Sequence, residues 1–239
     1  RKEYKSLAYT FTERDYTEPH READRAVLES IGSQIVDGIA ESRGFSHEAV
    51  DALIDRGPFT AEKALGEKLV DGLAYRDQVY AAAKKEAGEN SRQLYLSEYL
   101  KRAGSPYSGK QKIALIYGVG RIVRGKSRYA PMGGRIMGSE TVAEAIRAAV
   151  KDKSVKAVIL RINSPGGSYV ASDTIRRETV RAREEGKPVI VSMSETAGSG
   201  GYFVALSADK IIAHPATITG SIGVVGGKMV TSGMWRKLG

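Results

Sequence analysis

Hydrophobic positions between about residue 21 and residue 87 recur at helical spacing. Val27, Leu28, Ile31, Ile35, Val36 and Ile39 fall on one face of a helix. Gly44 ends it, and Ser46 is placed to cap a second helix running through Val50, Leu53 and Ile54. Gly57-Pro58 marks a turn. Thr60 precedes another helical stretch, AEKALGEKLVDGLAY (61–75), and a further helix reaches about Glu86. From Gly88 to Gln111 the pattern lapses, with GENSRQ and RAGSPYSGKQ flanking a short amphipathic piece, LYLSEYLK. The change predicts a linker over 91–111 between a mostly helical part, 1–90, and a second part, 112–239.

In the second part short apolar runs alternate with helical stretches. KIALIYG (112–118), VKAVILRI (155–162), KPVIVSM (187–193) and DKIIAH (209–214) read as strands. Between them fall a helix over 140–151 capped by Ser139, one from about Tyr169 to Glu185, and one after Ser199. Strands separated by helices predict an α/β fold with parallel strands and covering helices.

Composition sets bounds on this picture. The 239 residues are 41% hydrophobic and 27% charged, a globular mix. No run approaches the roughly 18 apolar residues of a membrane span, and no signal-peptide pattern opens the chain. It begins at Arg1 without methionine and stops at Gly239 within an unfinished run of elements, so it is read as a piece of a longer protein. The formal charge is +9. The basic residues (among them Arg21, Arg25, Lys84, Lys85, Lys151, Lys153, Arg176, Arg177, Arg181 and Arg183) are dispersed rather than gathered around stacking aromatics. That argues against nucleic acid and for solvated helix faces, near an anionic membrane at most. Cysteine is absent, and His20, His47 and His214 lack ligand spacing, so neither metal nor other cofactor is expected.

Two segments carry chemistry. In INSPGGSYV, Pro165 stops the preceding strand, and Gly166 and Gly167 leave backbone N–H groups unshielded. The pair reads either as an oxyanion hole or as a tight turn. In SETAGSGGYFVALSADK, Ser199 sits where a strand gives way to a helix, between Gly198 and Gly200-Gly201. It reads either as a nucleophile or as a helix cap. A serine nucleophile needs a base. No histidine is suitably placed, which leaves a lysine, held well below its ordinary value of about 10.4 by burial. The residues alone do not say which lysine.

INSPGG, ETAGSGGYF, ADKIIAHPATITGSIGV and the N-terminal EYKSLAY together resemble the signal peptide peptidase A (protease IV) family of the ClpP/crotonase-like superfamily. FTAEKALGEKLVDGLAY is similar to the segment that closes a repeat in that family. The long bacterial form has two repeats, with the lysine in the first and the serine in the second. The resemblance therefore implies that 1–90 is the end of a first repeat and 112–239 the start of a second. It implies Ser199 as nucleophile and Lys5 as general base. Lys2 is a rival that lacks the Tyr-Lys-Ser context. Ser221 would orient the lysine, and Gly166 and Gly200, with Gly167 beside them, would build the oxyanion hole. Shorter relatives place the lysine after the serine, which here falls past Gly239.

The resemblance further implies a Ser–Lys endopeptidase without a cofactor, cutting hydrophobic peptides such as remnant signal peptides. It implies a homotetramer on the extracytoplasmic side of a bacterial inner membrane, held near it by a segment outside this chain. Two other readings stand beside it. A crotonase-like acyl-CoA enzyme would share the glycine-built hole but use carboxylates, which AGSGG disfavours. A non-catalytic scaffold is disfavoured by Ser199, Lys5 and Ser221 occurring together.

Overall fold

The computed structural model describes residues 3–88, 90–104 and 109–239, so part of the expected linker (105–108) lies outside the described residues. The chain divides into two compact units, one of 1–28 with 110–239 and one of 29–109. Helical spacing in the first part yields α1 (Tyr9–Thr12), preceded by a 3-10 turn at Ser6–Ala8, then α2 (Glu18–Arg43), α3 (His47–Arg56), α4 (Ala61–Gly66), α5 (Arg76–Ala87) and α6 (Leu96–Ala103). Ser46 Oγ accepts the Ala49 N–H and Thr60 Oγ1 the Lys63 N–H, as the capping pattern predicts. Ala40, Val50 and Leu53 are buried in the 29–109 unit.

The helix expected over 61–75 stops at Gly66. Leu69 N–H returns to the Ala64 carbonyl at 2.9 Å and Lys68 N–H to that of Leu65 at 3.0 Å, with Lys68 at φ +60°. This is a Schellman reversal, which satisfies the last carbonyls without a further helical turn.

The 110–239 part contains β1 (Lys112–Val119), β2 (Arg121–Val123), β3 (Arg128–Ala130), β4 (Gly134–Gly138), α7 (Ser139–Lys151), β5 (Val155–Ser164), α8 (Tyr169–Glu184), β6 (Val189–Gly198), α9 (Gly200–Phe203), β7 (Lys210–Ile212), β8 (Ile218–Gly220) and α10 (Ser232–Leu238). The main sheet runs β1-β5-β6-β7, with β8 paired to the end of β6, and every pairing in it is parallel. This is the α/β arrangement expected from the alternation of strands and helices. Its core is apolar and closed, with Ile146, Val158, Leu160, Ile162, Ile175 and Val191 at most 1% exposed. Because the strands are parallel, β5, β6 and β8 all end on the same edge, and their C-terminal turns meet there.

A second sheet, β2-β4-β3, escapes the sequence reading because its strands are only three to five residues long, too short for periodicity to register. Ser139, expected as the cap of α7, is instead its first residue and is buried. Gly138 takes the cap position, and its N–H is held by Ser127 Oγ at 2.9 Å.

One carboxylate links two strands of the main sheet and a covering helix. Asp209 accepts the Val189 N–H and the Arg183 Nε, each at 2.8 Å, and so ties the start of β6 to α8 and to the approach to β7. The Val189 hydrogen bond, aided by Arg183, holds its carboxyl below the ordinary value.

Two outcomes follow from this packing. Ile146→Ala removes a side chain with no exposed surface and lowers stability by about 2–5 kcal/mol in denaturant unfolding. Because the Asp209 group is lowered on folding, its contribution is complete above about pH 4, the unfolded carboxylate value, and is lost as pH falls through the lower folded value. Asp209→Asn therefore flattens the acid limb of the stability–pH profile, measured as the denaturation midpoint against pH.

Candidate active site

The turns after β5, β6 and β8 lie side by side, set by the pairs Ser164↔Ala197 and Gly198↔Gly220. Ser199 follows β6 directly. Its N–H donates to the Gly220 carbonyl at 2.8 Å, and its own carbonyl accepts the Phe203 N–H at 2.9 Å, starting α9. It adopts φ +50° and ψ −116°, and its side chain makes no capping hydrogen bond. The helix-cap reading therefore fails for the hydroxyl. A non-glycine residue in this region is strained by about 1–3 kcal/mol, and the surrounding hydrogen bonds hold it there. The half-buried Ser199 Oγ donates to the Gly223 carbonyl at 3.3 Å.

The Pro165–Gly167 turn packs against Ser199 backbone to backbone. Gly166 has φ +102°, and a Cβ there would stand 2.7 Å from Gly200 N and 2.8 Å from Ser199 Cβ. A Cβ on Gly167 would fall 2.1 Å from the Ile122 carbonyl oxygen. Both glycines are thus required by close approach. The turn is anchored to β2: Ile122 N–H donates to the Gly166 carbonyl at 2.8 Å, and Ser168 N–H to that of Ile122 at 2.9 Å.

One sequence expectation changes here. Gly166 was read as an oxyanion donor, but its N–H is taken by the buried Ser164 Oγ at 3.1 Å. The neighbouring Gly167 N is 3.3 Å from the Cβ position of Gly200, and neither Gly167 N–H nor Gly200 N–H has an acceptor among the described residues. Gly200 is the first residue of α9, where a helix leaves its N–H groups unpaired. The free pair is therefore Gly167 and Gly200.

Lys5 arrives from the far end of the sequence and is exposed. Its Nζ donates to the Ile222 carbonyl. A Cβ on Gly223 would lie 3.5 Å from both Cε and Nζ of Lys5. Ser199 and Lys5 thus donate to consecutive carbonyls of one loop. Lys2 lies outside the described residues. Ser221, at φ +45°, opens the same loop, and its Cβ is 3.9 Å from the Cβ position of Gly198. No hydrogen bond joins Ser221 to Lys5 among the described residues.

Sequence reasoning missed Ser164, the Ile222 and Gly223 carbonyls, and Ile122. The first three lie within SPGG and TGSIG, where the motif signal falls on the glycines and on Ser221, while Ile122 belongs to a strand too short to read. Among the described residues no cluster of His, Asp and Glu could hold a metal ion.

The chain is 35% identical over 243 residues to the chloroplastic serine protease SPPA of Arabidopsis thaliana, across 99% of this chain and 36% of that protein. It is 37% identical over 236 residues to Protease 4 of Salmonella typhi, across 93% of this chain and 37% of that protein. It therefore spans little more than a third of the length of these relatives. Among solved structures, a mutant of a membrane-bound stomatin-specific protease is similar at 19% identity and a TM-score of 0.40, covering 52% of this chain and 54% of that one. Peptidase family S49 matches residues 1–90 and 181–239, more than half of the sequence, and the chain belongs to that family.

Proposed function

We propose that this chain supplies the nucleophile, Ser199, and the base, Lys5, of a serine endopeptidase. The observation that carries the reading is the meeting of the two side chains on the Ile222–Gly223 loop, although 193 residues of sequence separate them. On this reading the Ser199 hydroxyl leaves the Gly223 carbonyl for the Lys5 amine when a substrate binds, the tightening expected of a catalytic hydrogen bond.

The steps are those of acyl transfer. Neutral Lys5 takes the Ser199 proton as Oγ attacks the peptide carbonyl. The N–H groups of Gly167 and Gly200 receive the oxyanion, a contribution of about 3–4 kcal/mol per donor in sites of this kind. Lys5 then protonates the leaving amine, and water releases the acyl group. Lys5 is exposed, so the bound peptide itself has to exclude water for the amine to act as a base. Ser221 opens the loop that carries both acceptor carbonyls, and it is the residue we assign to orienting Lys5.

The family's relatives, named as signal peptide peptidases or protease 4, support hydrophobic peptides, remnant signal peptides among them, as the substrate class. On the same reading 1–90 closes one repeat and 112–239 opens the next. The whole protein acts as a homotetramer at the extracytoplasmic face of a bacterial membrane.

The test is acylation of the full-length protein by a fluorophosphonate. Wild type labels, Ser199→Ala does not, and Lys5→Ala labels at least about a hundredfold more slowly, the lower end for loss of a general base. Labelling of Lys5→Ala at the wild-type rate puts the base elsewhere. Labelling of Ser199→Ala overturns the nucleophile and returns the thioester and scaffold readings. Gly166→Ala, whose Cβ would stand 2.7 Å from Gly200 N, is expected to abolish labelling even where the far-ultraviolet circular dichroism of the fold persists.

A further inference from the structure

The positive charge is less dispersed than single residues suggest. No Asp or Glu occurs between Glu98 and Glu140. Within that interval the β2-β4-β3 sheet and its connections carry Arg121, Arg124, Lys126, Arg128 and Arg135, all exposed. None of the five has an acidic partner among the described residues, whereas Arg147, Arg176, Arg177, Arg181 and Arg183 each pair with a carboxylate.

The strand register organises them. Arg121 and Arg128 both pair with Ile136, from opposite sides, so the two guanidinium groups flank one apolar side chain on the outer face of the sheet. Ile122 and Met137, one residue along, point the other way and are buried in the core. The connection bearing Arg124 and Lys126 is pinned to the start of α7, with Glu140 N–H on the Gly125 carbonyl at 3.0 Å and Ser127 N–H on Thr141 Oγ1 at 2.8 Å. The turn from β3 to β4 then carries Met132, 99% exposed, while Tyr129 lies within β3 opposite Arg135, on the other face from Arg121 and Arg128.

We propose that this sheet is a docking surface for an anionic phospholipid bilayer. Unpaired Arg and Lys side chains meet the headgroup charge, and Met132 reaches the acyl boundary. The part-buried Ile136, held between Arg121 and Arg128, lends the charged face an apolar centre. A nucleic-acid surface would ask for aromatic rings interleaved with the basic side chains as a stacking platform, and Tyr129 is the one aromatic here. The surface is one strand from the serine turn, because β2 holds the Gly166–Ser168 backbone through Ile122. A docked sheet thus brings the Ser199 edge to the bilayer surface. The binding itself does not rest on the peptidase reading and is measured without any cleavage.

The test is co-sedimentation of the full chain with phosphatidylcholine vesicles, with and without a quarter of phosphatidylglycerol. Binding is expected only with phosphatidylglycerol and is expected to fall at high salt, as screening requires. Arg121→Glu with Arg128→Glu lowers the partition coefficient about tenfold or more. Lys153→Glu with Lys156→Glu makes the same change in net charge at exposed, unpaired positions elsewhere, and leaves binding near the parent value. Met132→Ser weakens binding with no change in charge. The proposal is overturned if the Arg121/Arg128 variant binds like the parent or if the lysine control falls equally. Equal binding to vesicles without phosphatidylglycerol also overturns it, as does duplex DNA displacing the protein at lower phosphate concentration than the vesicles do. Circular dichroism of each variant separates loss of the surface from loss of the fold.

Discussion

The contact on which the site depends is between two turns of bare backbone. Gly166 meets Ser199 and Gly200 at distances that leave no room for a Cβ. The same holds on the other side, where a Cβ on Gly200 would stand 2.5 Å from Ser172 Oγ and one on Gly201 2.5 Å from the Ser164 carbonyl oxygen. The SPGG turn and the GSGG turn are therefore one interlocked object. Neither can shift without the other, and Ser199 keeps its unusual backbone angles because both sides are closed. Side chains contribute at the margins: Ser164 takes the Gly166 N–H, and Ser172 fills the space beneath Gly200.

A parallel sheet makes such an interlock possible. In an antiparallel sheet, successive turns would alternate between edges. Here β5, β6 and β8 end together, so the loops that follow them gather at one edge above a buried apolar core. The rigid part of the site is thus inherited from the sheet. The lysine is different: Lys5 is anchored by a hydrogen bond to a loop carbonyl, with its side chain against a glycine, Gly223. An amine held by one loop carbonyl has more freedom than the glycine turns, which are closed on both sides.

How much of this could be read beforehand depends on range. Long apolar strands such as 155–164 and helices with capping serines announce themselves, because their periodicity and chemistry are local. The serine turn and the glycine pair are legible for the same reason: strand ends, glycines and a hydroxyl occur within a few residues of one another. What failed to read was set by partners distant in sequence. Gly166 looked like an oxyanion donor until Ser164 claimed its N–H. Ser139 looked like a cap until Ser127, on a neighbouring turn, settled the helix start at Gly138. The stretch over 61–75 kept its helical pattern of side chains, but its backbone turned back at Lys68, a position where local pattern favours continuing. Lys5 could be named only through resemblance, since nothing in its own segment points 194 residues ahead.

The small β2-β4-β3 sheet shows why the unread parts matter. Its strands are too short to bury much by themselves, yet Ile122 in the middle of β2 is fully buried and bonds both sides of the glycine turn. One face of the sheet is therefore committed to the site. The other cannot enter the core, since Arg121 and Arg128 occupy it and burying an unpaired guanidinium costs more than the sheet could return. The same short strand therefore has a structural inner face and a cationic outer face with no ion pair to a carboxylate among the described residues, and its backbone is bonded to the turn that Ser199 rests against.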